Sequence, residues 1–107
     1  MEVSQYEIVL VNLDPTVGSE IQKTRPCVVI SPDEINHNLR TVVIAPMTTK
    51  NRSYPTRVKV KHNNQAGWVV IDQIRTIDKV RIVKVLGNLS TSEIVACKSV
   101  LKETFVD

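Results

Sequence analysis

Side chains suited to polar chemistry gather at a few places in this chain: Ser19 and Glu20, then Arg25, then Thr48 and Thr49, then Asp72, Gln73 and Arg75. Each place lies in a long loop or at the end of a β-rich run, where a scaffold holds a group still and leaves it reachable. The set contains carboxylates that accept protons, hydroxyls and an amide that donate hydrogen bonds, and guanidinium groups whose fork grips two oxygens of one anion. Other chemistries are excluded by what is missing. There is no G-x-x-x-x-G-K-[ST], H-E-x-x-H, G-x-S-x-G or dinucleotide glycine pattern, which removes phosphate cradles, zinc proteolysis and the hydrolase elbow. Metal ligation looks poor, and neither a metal nor a cofactor is expected. The only histidines, His37 and His62, each stand beside asparagine in turn-like sequence and read as solvated loop residues.

The elements that must position these groups follow from composition and pattern. A chain of 107 residues, 42% hydrophobic and 23% charged, has the length for one domain with one core and the balance of a folded protein. Trp68, Tyr6, Tyr54 and Phe105 are its whole aromatic complement, so the core must come from Val, Ile and Leu, and β-branched residues favour strands. The net charge of +3 is modest, but its distribution is not even: between Glu34 and Asp72 there are no acidic residues, while Arg40, Lys50, Arg52, Arg57, Lys59 and Lys61 all fall there. That one-signed field suits a polyanion partner, and equally a solvated basic face. Cys27 and Cys97 sit among apolar neighbours with no C-x-x-C and read as buried thiols. No basic-then-apolar leader opens the chain and no run approaches about 18 apolar residues, so a cytoplasmic protein without a membrane partner is expected.

Apolar runs predict strands over Glu7 to Leu13, Arg25 to Ile30, Thr41 to Ala45 (closed by Pro46), Trp68 to Ile71 and Ile82 to Leu86. Thr56 to Lys61 alternates polar and apolar with period two, which predicts a half-buried strand with Arg57, Lys59 and Lys61 on its outer face. Asp14 to Thr24 is a long exposed loop. Ser90-Thr91-Ser92-Glu93 fits a capping box, and Ile94, Cys97, Leu101 and Phe105 then recur on one face of the helix it starts. Mainly β, a small curved barrel or paired sheets with a C-terminal helix is the expected architecture. Trp68 opens an apolar run and reads as core, with base stacking as the other use of its ring.

Asp14-Pro15-Thr16-Val17-Gly18-Ser19-Glu20 followed by Thr24-Arg25-Pro26 resembles the first motif of the MazF/PemK/Kid family. Pro46-Met47-Thr48-Thr49 resembles the second and Asp72-Gln73-Ile74-Arg75-Thr76-Ile77-Asp78 the third, in the same order and at similar separations. The resemblance spans nearly the whole chain. It implies an SH3-like barrel of the plasmid-maintenance-toxin kind, acting as a homodimeric toxin that cleaves messenger RNA and is silenced by a cognate antitoxin.

In such an enzyme the RNA supplies its own nucleophile, the 2′-hydroxyl, so the protein has to orient atoms, move protons and stabilise added negative charge. The resemblance makes Arg25 and Thr48 the catalytic grip on the phosphate, with Glu20 and Asp72 as candidate bases. Where some members carry an arginine two residues before that second carboxylate, this chain has Val70, which puts more weight on Arg25. Ser19, Thr49, Gln73, Arg57 and Lys59 are the residues expected to bind single-stranded RNA through base edges or backbone. Arg75 and Asp78 suit either this site or local pairing that stabilises the fold or dimer. The alternatives are a CcdB-like gyrase-binding toxin, against which Phe105-Val106-Asp107 lacks a tryptophan-containing tail, and a noncatalytic nucleic-acid-binding barrel.

Overall fold

The computed structural model describes residues 2–14, 18, 23–50 and 54–106. Ser19 and Glu20, two of the expected site residues, lie outside them. The strands are β1 (Glu7–Asn12), β2 (Thr24–Val29), β3 (Thr41–Thr48), β4 (Arg57–His62), β5 (Gln65–Val70), β6 (Arg75–Asp78) and β7 (Ile82–Asn88). They form one antiparallel sheet in the order β4-β5-β3-β2-β1-β7, with β6 paired to β3. The helices are α1 (Asp33–Asn36) and α2 (Thr91–Leu101). The sheet curls into a half-barrel, and two irregularities in the β1·β7 register, at Ile8/Val9 and Leu10/Val11, mark bulges that increase its local twist. Among the described residues no helix is long and apolar enough to cross a membrane.

Strand alternation divides the interior in two. Ile8, Val28, Ala45, Met47, Val58, Val60 and Val69 point to the side that α2 covers through Cys97, Ile94 and Leu101. Val9, Val11, Cys27, Val29, Val42, Ile44 and Ile77 line the opposite face. The capping box forms as predicted: the Glu93 amide donates to Ser90 Oγ at 3.3 Å, and the Ser90 amide donates to Glu93 Oε1 at 2.8 Å. The second oxygen of Glu93 accepts from the Lys61 amide at 2.7 Å, which ties the helix start to β4. Burial works to raise Glu93, but these bonds and nearby His62 outweigh it and hold the carboxyl below its ordinary range.

Several expectations need correction. Arg75–Asp78 is a strand: its single inward apolar residue, Ile77, gives too short a pattern to read, yet β3 offers it an unpaired edge over Thr41–Ile44. Asp78 also caps the following turn, accepting from the Val80 amide at 2.9 Å, so part of its role is local. Phe105 does not continue the apolar stripe. The helix widens into a π-turn over Lys102–Val106, which shifts the phase and leaves Phe105 54% exposed.

Both cysteines are buried free thiols, as the sequence predicts. Burial pushes Cys27 up to about 12, against the pull of Arg25 and Arg75, and pushes Cys97 up to about 11, helped by Glu93. A raised thiol pKa stabilises the fold fully below the unfolded value, and that contribution is lost as pH rises through the folded one. The thermal midpoint should therefore fall as pH climbs from about 9 toward about 12. Cys27→Ala should flatten that fall, and an unchanged slope would contradict it.

Candidate active site

The site forms where β3 changes neighbours. The Ile30 amide donates to the Val43 carbonyl at 2.8 Å, which sets the phase of the β2·β3 ladder. At the last pair, Cys27↔Pro46, backbone N–H groups therefore point away from the facing strand, and Pro46 withholds nothing from β2. On its other edge Pro46 falls between Ile44, the last residue paired with β6, and Met47, the first paired with β5. The proline thus sits inside β3 and does not close it. Pro26 comes next on β2, at the position whose N–H would have bonded β3, and the ladder stops there. Beyond it β2 stays paired with β1 and β3 with β5, but not with each other, and a gap opens between them.

Arg25 and Thr48 stand at that gap, each two residues past the last pair and on the same face as it. Trp68 is the cross-strand partner of Thr48, and Lys59 the partner of Trp68, so Arg25, Thr48, Trp68 and Lys59 run across one face of four strands. Trp68 is half-buried and belongs to neither core cluster, contrary to the core reading, because the inward positions of β5 are Gly67 and Val69. Its run looks uniformly apolar, and the alternation is hidden by the glycine. Thr48 is 8% exposed, and its Oγ1 accepts from the Lys50 amide at 3.2 Å. That bond fixes the rotamer and leaves the hydroxyl proton to donate. Thr49 and Lys59 are exposed.

The third motif lies on a separate cluster. Asp72 sits in a 3-10 turn over Ile71–Gln73. Its Oδ1 accepts from Thr56 Oγ1 at 2.8 Å and faces Arg57 Nε at 3.7 Å. The Arg57 guanidinium lies 4.9 Å from the Tyr54 ring centroid and its side chain is 13% exposed, so it is spent inside the molecule, where the sequence reading turned it outward. Arg75 opposes Ile44 and acts with Arg25 on the Cys27 thiol, which places both guanidinium groups on one face of the sheet.

A cavity of about 110 Å³ opens at the gap, lined by Arg25, Pro26, Met47, Thr48, Thr49, His62, Gln65, Ala66 and Gly67. It joins the first two motifs, and neither Asp72 nor Gln73 lines it. His62 was not expected here. Asn63 and Asn64, with φ of 51° and 61°, make a tight two-residue turn, so His62 is the last residue of β4 and faces inward with Val58 and Val60. Extending the period-two pattern of Thr56–Lys61 by one residue would have found it. His37 is exposed, as read. Among the described residues no group of His, Cys, Asp and Glu has the arrangement of a metal site.

Comparison with known proteins points to one family. Residues 4–105 match the family model described as the PemK-like, MazF-like toxin of type II toxin-antitoxin systems. The chain is 34% identical over 80 residues to the endoribonuclease toxin MazF of Escherichia coli K12, covering 70% of this chain and 72% of that one. It is 31% identical over 105 residues to the endoribonuclease MazF of Staphylococcus epidermidis, covering 92% and 88%. The fold superposes on the crystal structure of MazF from Deinococcus radiodurans with a TM-score of 0.88 at 22% identity, over 100% of this chain and 99% of that one. With its motifs, fold and nearly full-length match in agreement, the chain belongs to the PemK-like, MazF-like toxins of type II toxin–antitoxin systems.

Proposed function

We propose that this toxin endoribonuclease cuts single-stranded RNA without a metal, through attack of the 2′-hydroxyl on the adjacent phosphorus, with Arg25 and Thr48 holding the phosphate oxygens. The observation that carries this reading is the placement of Arg25 and Thr48 on one face of the sheet where β2 and β3 part, both lining one cavity. A guanidinium and a hydroxyl donor there can meet charge that grows on the phosphate as the O2′–P bond forms and the P–O5′ bond breaks. The products are a 2′,3′-cyclic phosphate and a 5′-hydroxyl. The 2′-proton passes to a carboxylate, and the leaving 5′-oxygen takes up one proton from solvent, which balances the step. Asp72 is already engaged by Thr56 and Arg57, which leaves its oxygens less available and favours Glu20, four residues before Thr24 in the first motif. Trp68 and Lys59 extend the row away from the phosphate, as a stacking surface and a cation for the strand. Thr49, Gln73 and Ser19 complete the contacts to RNA.

Residues 1–107 act as one cytoplasmic domain, paired with a second copy and silenced by an antitoxin. β7 lies at the sheet edge with Val83 54% and Val85 40% exposed, a surface suited to a second copy. Lys59 and Lys61 stay outward beside an open cleft that reaches Ser92 and Glu93, and they suit an acidic segment of the antitoxin, whereas Arg57 is taken up by Asp72. These sites and the family match favour the nuclease over a gyrase-binding or noncatalytic barrel. Cleavage of a short RNA by metal-free protein in EDTA tests the mechanism. Full activity is expected, and a loss that Mg²⁺ restores would replace 2′-hydroxyl attack by metal-assisted hydrolysis.

A further inference from the structure

We propose that the cavity at the β2·β3 gap is a base-recognition subsite, which takes one nucleobase beside the cut and reads its edge through His62. The proposal rests on the ribonuclease reading. The cavity shares Arg25 and Thr48 with the phosphate grip, so a base linked through its sugar to that phosphate lies within reach. About 110 Å³ is far below the roughly 300–1,000 Å³ of cofactor and drug-sized sites, and it suits one heteroaromatic ring. The wall is divided in the way a base requires. Pro26 and Met47 offer apolar surface to a ring face, while His62 and Gln65 offer groups that pair with a ring edge.

The sharpest sign is an unsatisfied atom. His62 Nε2 is buried and has no hydrogen-bond partner, a state that native proteins rarely leave unexplained. A base edge in the cavity would supply the missing partner. The imidazole is also held before any ligand arrives. The Asn63–Asn64 turn fixes its backbone, and a Cβ at Gly87 would stand 3.3 Å from its Cε1, a tight contact that the glycine avoids, so β7 packs closely on the ring. Two charged groups face it, Arg25 across the cavity and Glu93 on α2.

Mapping 5′ ends of a random RNA pool cut by the wild type, His62→Ala and Gly67→Ala tests this. At Gly67 an added Cβ meets the Thr48 carbonyl at 3.4 Å and Met47 Cε at 3.9 Å, ordinary contacts, so that variant should fold while its cavity shrinks. Wild-type sites should share one base at one position adjoining the cut. In both variants the preference at that position should fall by roughly tenfold or more relative to the other positions. An unchanged preference in folded Gly67→Ala, or in folded His62→Ala, overturns the subsite. A wild type that cuts no RNA overturns the ribonuclease reading instead.

Discussion

Arg25→Ala is expected to lower kcat/KM on a short RNA by at least about 10²- to 10³-fold, the usual cost of removing one preorganised donor that meets transition-state charge. The fold should persist. Arg25 lies just past the end of the β2·β3 ladder, its face borders Cys27 and Val11, and no core cluster depends on its side chain. Arg25→Lys should recover little, because an ammonium keeps the charge and loses the fork. Thr48→Ala should cost less than Arg25→Ala and combine two losses, the donor hydroxyl and the acceptor for the Lys50 amide. Thr48→Ser should restore both. Trp68, the only tryptophan and the neighbour of Thr48, gives a fluorescence reading of RNA binding separate from cleavage. Were Arg25→Ala and Thr48→Ala both folded and fully active, the chemistry would have to move to Asp72 and Glu20.

A single deoxy substitution before the scissile phosphate should abolish cutting at that bond while leaving binding nearly unchanged. The 2′-oxygen is the nucleophile in the proposed reaction, so removing it removes the attacking atom. Binding draws on phosphate, base and stacking contacts that the substitution keeps. The expected result is a protected oligonucleotide that still competes with the all-ribose substrate. Cleavage of the deoxy bond would show that water attacks, and would overturn attack by the 2′-hydroxyl.

The sequence by itself determined the strands whose apolar residues recur without interruption, the capped start of α2, the buried thiols and the three motifs with Arg25 and Thr48 in them. These are local signals: a side-chain period, a capping box or a motif survives being read along one chain. What it left open depends on partners distant in sequence. Arg75–Asp78 becomes a strand only because β3 presents a free edge, and Pro46 stays inside β3 only because its missing N–H falls between β6 and β5. Arg57 looked like one of three outward cations until Asp72, brought by another segment, and the neighbouring Tyr54 took it up. Trp68 and His62 were misplaced for a local reason instead: Gly67 hides the alternation of β5, and the Asn63–Asn64 turn lets β4 run on to His62. The tertiary structure also decided that the first two motifs share a cavity and that the third, apart from its Arg75 beside Cys27, stands aside from it. Whether groups meet at a gap between strands is a property of where pairing stops, and pairing is long-range.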